Sequence, residues 1–399
     1  MAFKPNLILF FLLVNYSLSM AQTHVNYEES KVPDITLPDP FVSLRGKLIS
    51  TQQDWEEVRR PEILNLFREY VYGNIPTDFD QISFSEVQES QNPYPEKATL
   101  KEVNITVSRK GKSHTMRLNV FVPKTEKGPF PIFLLINHRA EHADGNLVEK
   151  GYWPVSELID RGYATASFHG ETVAPDDAER FSEGILNTLY PEELTKADGM
   201  RTFGAWAWAA MRAMDYFEQD PLYDTRKSAL AGHSRSGKAT LWTASNDTRW
   251  SVVLANESGC GGAAISRRKY GETVAVINAS FPHWFADNFK AFNHQEETLP
   301  VDQHMLATLI APRALYFASA RGDQWADPKG EYISMQLGSR VYSEIYNQDV
   351  KFPLDFEELE SPIIQPLAGY HIREGKHNLT LEDWKHFMDF AEIHWKKVR

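Results

Sequence analysis

The sequence predicts an α/β fold in which a mixed, mostly parallel sheet lies between two layers of helices. Three observations carry this expectation. Alternating apolar and polar residues early in the chain read as an antiparallel hairpin. After residue 130, short and uniformly apolar runs suit strands buried on both faces. Between the runs lie segments of helical spacing. A hairpin followed by strand–helix alternation implies a sheet covered on both sides.

Residues 22 to about 80 read as an irregular lead-in with one helix, Trp55 to Tyr72. From 97 to 123, Val103, Ile105 and Val107 alternate with polar residues, Gly111 marks a turn, and Met116, Leu118, Val120 and Val122 alternate again. The buried runs are Ile132–Ile136, Tyr163–Phe168, Ser228–Ala231, Val252–Ala255 and Ala314–Ala318, with a final strand over Leu367–Ile372. Phe203, Trp206, Ala207, Ala210, Met214 and Phe217 keep helical spacing. A last helix starts near Thr380, with Asp383 placed for a capping box. This order fits an α/β-hydrolase, a three-layer αβα sandwich. The Rossmann arrangement competes, but no G-x-G-x-x-G follows a strand. The chain has no repeat, low-complexity tract or Pro/Gly/Ser linker, so residues 22–399 are expected to form one catalytic domain with its lead-in.

The first 21 residues read as a cleaved signal peptide. Lys4 gives a positive start, Leu7 to Val14 an apolar core too short to span a bilayer, and Ser19-Met20-Ala21 a small-residue cleavage site. Cleavage after Ala21 would deliver the protein to a periplasm or medium. The single cysteine, Cys260, permits no internal disulfide, which suits a bacterial exported protein better than a eukaryotic one. The sequon Asn378-Leu379-Thr380 agrees, since a glycan there would crowd the histidine assigned below. A formal charge of −12 argues against nucleic acid and anionic membrane as partners. A monomer is expected.

The chemistry centres on Gly232-His233-Ser234-Arg235-Ser236-Gly237-Lys238, between the strand Ser228–Ala231 and a helix-compatible run. Strand, sharp turn and helix is the setting of a nucleophile elbow, although the second glycine falls one residue later than in G-x-S-x-G. Ser234 would open the helix, where free N–H groups and the helix dipole favour a developing oxyanion. Arg235 adds a permanent cation, and Lys238 lies four residues on, along the same helix face. On this motif alone, such a serine also fits a helix N-cap.

A triad on this fold runs serine, acid, histidine. His283, His294, His304, His371, His377, His386 and His394 satisfy that order. His377 fits best, in the loop between the final strand and the last helix. His371 falls within the strand, and His386 and His394 within the helix. Two acids compete. Asp323 follows the strand Ala314–Ala318, the usual place, and Glu257 follows Val252–Ala255. Asp327, before Pro328, reads as a turn residue. Order alone favours Asp323.

These residues resemble the glucuronoyl esterases, carbohydrate esterase family 15, of the bacterial type. The family elbow is G-C-S-R-x-G-K, and here His233 replaces the cysteine that forms a disulfide in fungal members. Asn256-Glu257-Ser258-Gly259 lies where fungal members carry a catalytic glutamate, 23 residues after the serine. Asp323 with Trp325 is similar to the acid and sugar-contacting tryptophan of bacterial members, Gly271-Glu272 to their substrate-binding glutamate, and His377 to the family histidine. No motif of the first hundred residues matches.

The resemblance implies a serine esterase cleaving (4-O-methyl-)D-glucuronate esters of glucuronoxylan, as in lignin–carbohydrate linkages. Ser234 is then the nucleophile, His377 the base, Asp323 and Glu257 its acids, and Arg235 the oxyanion partner. Lys238, Glu272 and Trp325 would bind the sugar. Read from the residues alone, Trp325 fits core packing as well, and Glu272 a solvated charge. No His/Cys/Asp/Glu set has metal-ligand spacing along the chain, and neither cofactor nor metal is expected. Two other readings compete: a deacetylase for acetylated xylan or pectin on the same fold, and a non-catalytic carbohydrate-binding protein.

Overall fold

The computed structural model describes residues 25–124, 127–139, 151–357, 359 and 361–397. The expected leader and its cleavage site lie outside the described residues.

The lead-in helix forms over Gln52 to Tyr72 as four consecutive segments, with the regular helix α1 (Arg60–Phe67) between two wider-wound turns. Thr51 caps its start by accepting the N–H of Asp54. Gly73 ends it at φ 83°, packed so close to Gly199 that a Cβ would lie 2.2 Å from that carbonyl oxygen.

A ten-stranded sheet follows. Its first strand, β1 (Gln81–Val87), pairs antiparallel with β2 (Ala98–Arg109). β1 escaped the sequence reading because it is a half-exposed edge strand with no buried alternation. β2 and β3 (Lys112–Pro123) form the expected hairpin. Its two-residue turn, Lys110-Gly111, has positive φ at both positions, the geometry that matches strand twist.

The apolar runs become β4 (Phe130–Asn137), β5 (Ala164–His169), β6 (Tyr223–His233), β7 (Val252–Asn256) and β8 (Ala314–Ala320). β9 (Ile363–Ile364) and β10 (Ala368–Arg373) complete the order β1-β2-β3-β5-β4-β6-β7-β8-β10-β9. The six strands from β5 to β10 in that order are mutually parallel, and the outer pairings are antiparallel.

Alternate residues of β4 show why these strands are apolar throughout. Leu134 belongs to the same core as Trp206 and Trp242, from α2 (Thr202–Gln219) and α3 (Arg235–Asn246). Phe133 and Leu135 pack on the opposite face with Trp384 and Phe387. Burial of each large side chain contributes about 1.5–3 kcal/mol. α4 (Pro328–Gly338) follows β8. α5 (Leu381–Trp395) opens on the expected capping box between Thr380 and Asp383 and covers the second face. The result is the predicted three-layer α/β-hydrolase arrangement, with the C-terminal ends of β6, β7, β8 and β10 along one edge. Among the described residues, no helix is long and apolar enough to cross a membrane.

Candidate active site

β6 ends at His233, and Ser234 turns the chain into α3 at φ 56°, ψ −125°. A non-glycine residue pays strain there, and the surrounding contacts hold it. The Ser234 N–H donates to the Asn256 carbonyl at 2.8 Å. A Cβ on Gly232 would lie 2.3 Å from the Ser236 carbonyl oxygen and 2.4 Å from Thr240 Oγ1. The displaced second glycine has a local cause. Ser236 latches the turn, its hydroxyl accepting the His233 N–H at 3.0 Å and donating to the His233 carbonyl at 2.9 Å. The tight approach falls one residue later, where a Cβ on Gly237 would meet Ser258 Cβ at 2.9 Å.

His377 lies beyond β10. Its Nδ1 is 2.6 Å from Asp323 Oδ2 and 3.1 Å from Glu257 Oε2. β7, β8 and β10 are successive parallel neighbours, so the residues just past their ends converge. Both sequence candidates therefore reach one imidazole nitrogen. Glu257 is fully buried, at φ 45°, with its N–H on the Ala318 carbonyl at 2.7 Å. Its Oε1 accepts from Arg373 at 2.5 Å and its Oε2 from the Asn378 N–H at 2.9 Å. Arg373 also faces Asp383 at 3.0 Å, and Asp383 accepts from His371 at 2.9 Å. His371 is thus a packed core residue, as its place in a strand implied. Asp327 caps α4 by accepting the Gly330 N–H, in keeping with a turn residue.

Burial works against the charged form of His377, but the hydrogen bonds and charges of Asp323 and Glu257 outweigh it and raise its pKa to about 9. Burial pushes the Glu257 carboxyl up to about 7, against the pull of His377 and Arg373. The imidazole of His233 packs 4.5 Å from that of His377, centroid to centroid. Burial holds His233 well below its ordinary pKa, and its Nδ1 bonds Asn256 Oδ1 at 2.5 Å.

A cavity beside Ser234 is lined by Arg235, Lys238, Glu272, Trp325 and His377. Seven of the eight residues singled out in the sequence line this cavity, and the eighth, Asp323, stands behind it on His377. The Arg235 guanidinium lies over Trp284, 5.0 Å from the ring centroid, and pairs with Asp176. Asp176 also accepts from His283 at 3.0 Å and the Trp284 indole at 2.6 Å. Those donors overcome its burial and hold its carboxyl well below the usual range. Lys238 is buried, donates to the Ser258 carbonyl at 2.6 Å and lies 4.0 Å from Glu272. Burial lowers the Lys238 pKa and raises that of Glu272, each against the other's charge. Glu272 is therefore not a solvated charge. Trp325 is 40 % exposed and forms the rim, not the core.

Sequence reasoning missed Asp176, Trp284 and Arg373. Asp176 sits in a loop 59 residues before its partner, and Trp284 lies in no motif. Arg373 closes a strand and gave no sign of facing two acids. Among the described residues, His233, Glu257 and His377 could each offer one ligand atom to a metal, all within 4.8 Å of one another. That grouping has no counterpart in sequence spacing, and two of its members are the base and acid candidates.

Comparisons with known proteins place the chain among esterases. A model of the family "Glucuronyl esterase, fungi" matches residues 105–345. The chain is 35% identical to carbohydrate esterase MZ0003 from an unknown prokaryotic organism, over 92% of each chain. It is 28% identical to a 4-O-methyl-glucuronoyl methylesterase of Schizophyllum commune, covering 77% of this chain and 73% of that one. The solved glucuronoyl esterase from Solibacter usitatus superposes with a TM-score of 0.82 at 34% identity, over 92% of this chain and all of that one.

Proposed function

Because the chain belongs to the glucuronoyl esterase family, we propose that it hydrolyses esters of D-glucuronic acid, with or without a 4-O-methyl group, by acyl transfer through Ser234. The observation that carries this reading is a single cavity. It joins a strained serine at a helix N-terminus, a histidine backed by two carboxylates, and a wall of Lys238, Glu272 and Trp325.

His377 takes the Ser234 proton as the hydroxyl oxygen attacks the ester carbonyl. Asp323 and Glu257 hold the imidazole by Nδ1 and stabilise its cation. The oxyanion develops against the first turn of α3, whose N–H groups lack intrahelical acceptors, and beside the Arg235 guanidinium. Collapse expels the alcohol with the proton held by His377. A water, deprotonated by the same imidazole, then releases the uronate and restores Ser234.

Lys238 and Glu272 bind sugar hydroxyls, and Trp325 offers an exposed ring face on which a pyranose packs. The natural ester is one of glucuronoxylan, as in lignin–carbohydrate linkages. A monomer exported to a periplasm or medium, after cleavage near Ala21, suits that substrate. Hydrolysis of benzyl D-glucuronate, measured beside acetylated xylan, tests the reading. Turnover of the uronate ester, abolished in Ser234→Ala, supports it. Activity on acetyl esters alone would make the protein a deacetylase, and ester hydrolysis unchanged in Ser234→Ala would remove the serine from the reaction.

A further inference from the structure

The lead-in, which carried no motif, is stitched onto the two loops that hold the sugar-binding wall. The Gly271 N–H donates to the Asn26 carbonyl at 2.8 Å, and the next residue is Glu272. The Tyr270 hydroxyl bridges the Tyr27 carbonyl at 3.1 Å and the side chain of Gln324, which precedes Trp325. Glu29 pairs with Arg268 at 2.7 Å and with Lys329 at 3.2 Å. Arg268, almost wholly buried, reaches across to Asp327 at 2.8 Å. The two loops also touch directly, since the Glu272 N–H donates to the Trp325 carbonyl at 2.9 Å. They pack so closely that a Cβ on Gly271 would lie 2.4 Å from that same oxygen.

The Asn26 and Tyr27 links land within two residues of Glu272, the second of them reaching Gln324 beside Trp325, and Glu29 lands on the Arg268–Asp327 bridge that ties the two loops together and on Lys329 two residues beyond it. Residues 26–29 make no contact with Ser234, His377, Asp323 or Glu257 in the described hydrogen bonds and ion pairs. We propose that Asn26–Glu29 is a positioning strap for substrate binding, with Glu29 as its charged anchor. It fixes the spacing of Glu272 and Trp325 and leaves the reacting groups untouched. This rests on the glucuronate reading for what the wall binds, but not for the strap itself. Ordering both loops in advance removes a cost otherwise met on binding, and displacement of a binding wall by about 1 Å can change rates by on the order of 10²-fold.

The test compares the mature chain with Glu29→Gln and Glu29→Asp. With benzyl D-glucuronate, Glu29→Gln is expected to raise KM on the order of 10-fold at nearly constant kcat, and Glu29→Asp to recover part of it. With p-nitrophenyl acetate, which lacks the sugar, KM stays unchanged. Amide hydrogen exchange gives a readout independent of substrate. Glu29→Gln should speed exchange at Gly271 and Glu272 and leave residues 234–238 unaltered. Unchanged protection at 271–272, or equal KM increases on both substrates, would overturn the strap. A wild-type chain inactive on the uronate ester but showing the exchange effect would overturn the functional reading and uphold the strap.

Discussion

Arg373 and Glu257 form a buried ion pair, 2.5 Å from guanidinium nitrogen to carboxylate oxygen, directly behind the imidazole of His377. Asp323 has no such cation in the described contacts and bonds only His377 through its side chain, at 2.6 Å. The two acids therefore differ in kind. Asp323 is the shorter partner and gives its charge to the histidine, whereas Glu257 shares its charge with Arg373.

That difference predicts unequal losses. Asp323→Asn should cost more in kcat than Glu257→Gln, because the first removes the stronger hydrogen bond. Losing both should approach the roughly 10⁴-fold loss expected when a triad histidine has no orienting acid. Each single variant should fall well short of it. Rates of both singles and the double on benzyl D-glucuronate decide this, and equal single losses would contradict it.

The pH profile follows from the same cluster. The proposed base, His377, can accept a proton only when neutral, and its pKa is raised to about 9. kcat/KM should therefore climb with pH to well above 6.5, with an apparent pKa belonging to the coupled group. Glu257→Gln removes one negative charge beside the imidazole, so its rising limb should move to lower pH. A limb that stays in place would show that Glu257 does not bear on the histidine.

Arg373 is the cation facing both Glu257 and Asp383, and its side chain is almost fully buried. Arg373→Met should lower stability by about 3–5 kcal/mol, the usual cost of leaving a buried charge without its partner. Denaturant unfolding at neutral pH measures it. A loss below about 1 kcal/mol would mean that both acids find other partners or become neutral.

Arg235 should resist conservative replacement. Its guanidinium stacks on Trp284 while pairing with Asp176, a geometry that an ammonium does not reproduce. Arg235→Gln is expected to cost about 10²–10³ in kcat, as for removal of one oxyanion donor. Arg235→Lys should recover little of it, and recovery to near wild-type rate would assign Arg235 a bulk charge effect only.

The elbow offers a test of packing. Gly237→Ala sets a Cβ 2.9 Å from Ser258 Cβ and should destabilise by about 1–3 kcal/mol. Ser236→Gly, which restores the common G-x-S-x-G spelling, deprives the buried His233 N–H of its 3.0 Å acceptor and should cost about 1–3 kcal/mol too. A neutral outcome at position 236 would mean that the latch is dispensable.

The sequence by itself determined the order of the central strands and helices and singled out the candidate reacting groups. Both are local or sequential properties. Burial on both faces makes the central strands uniformly apolar, and the elbow must place small residues around Ser234. Its place in the loop between the final strand and the last helix then singles out His377 among seven histidines that chain order leaves open. The edge strand β1 and the contacts of the lead-in stayed hidden, because the Ile82/Phe84 alternation of β1 is short and only half-buried and the lead-in carries no motif. What tertiary structure alone decided was which groups share one space. Asp323 and Glu257 competed for one role in the sequence, and in the structure both hold the same nitrogen, because parallel neighbours β7, β8 and β10 end side by side. Asp176 beside Arg235 and Arg373 beside Glu257 are joined across 59 and 116 residues of chain. No spacing rule reaches that far, since such contacts are set by strand order and packing.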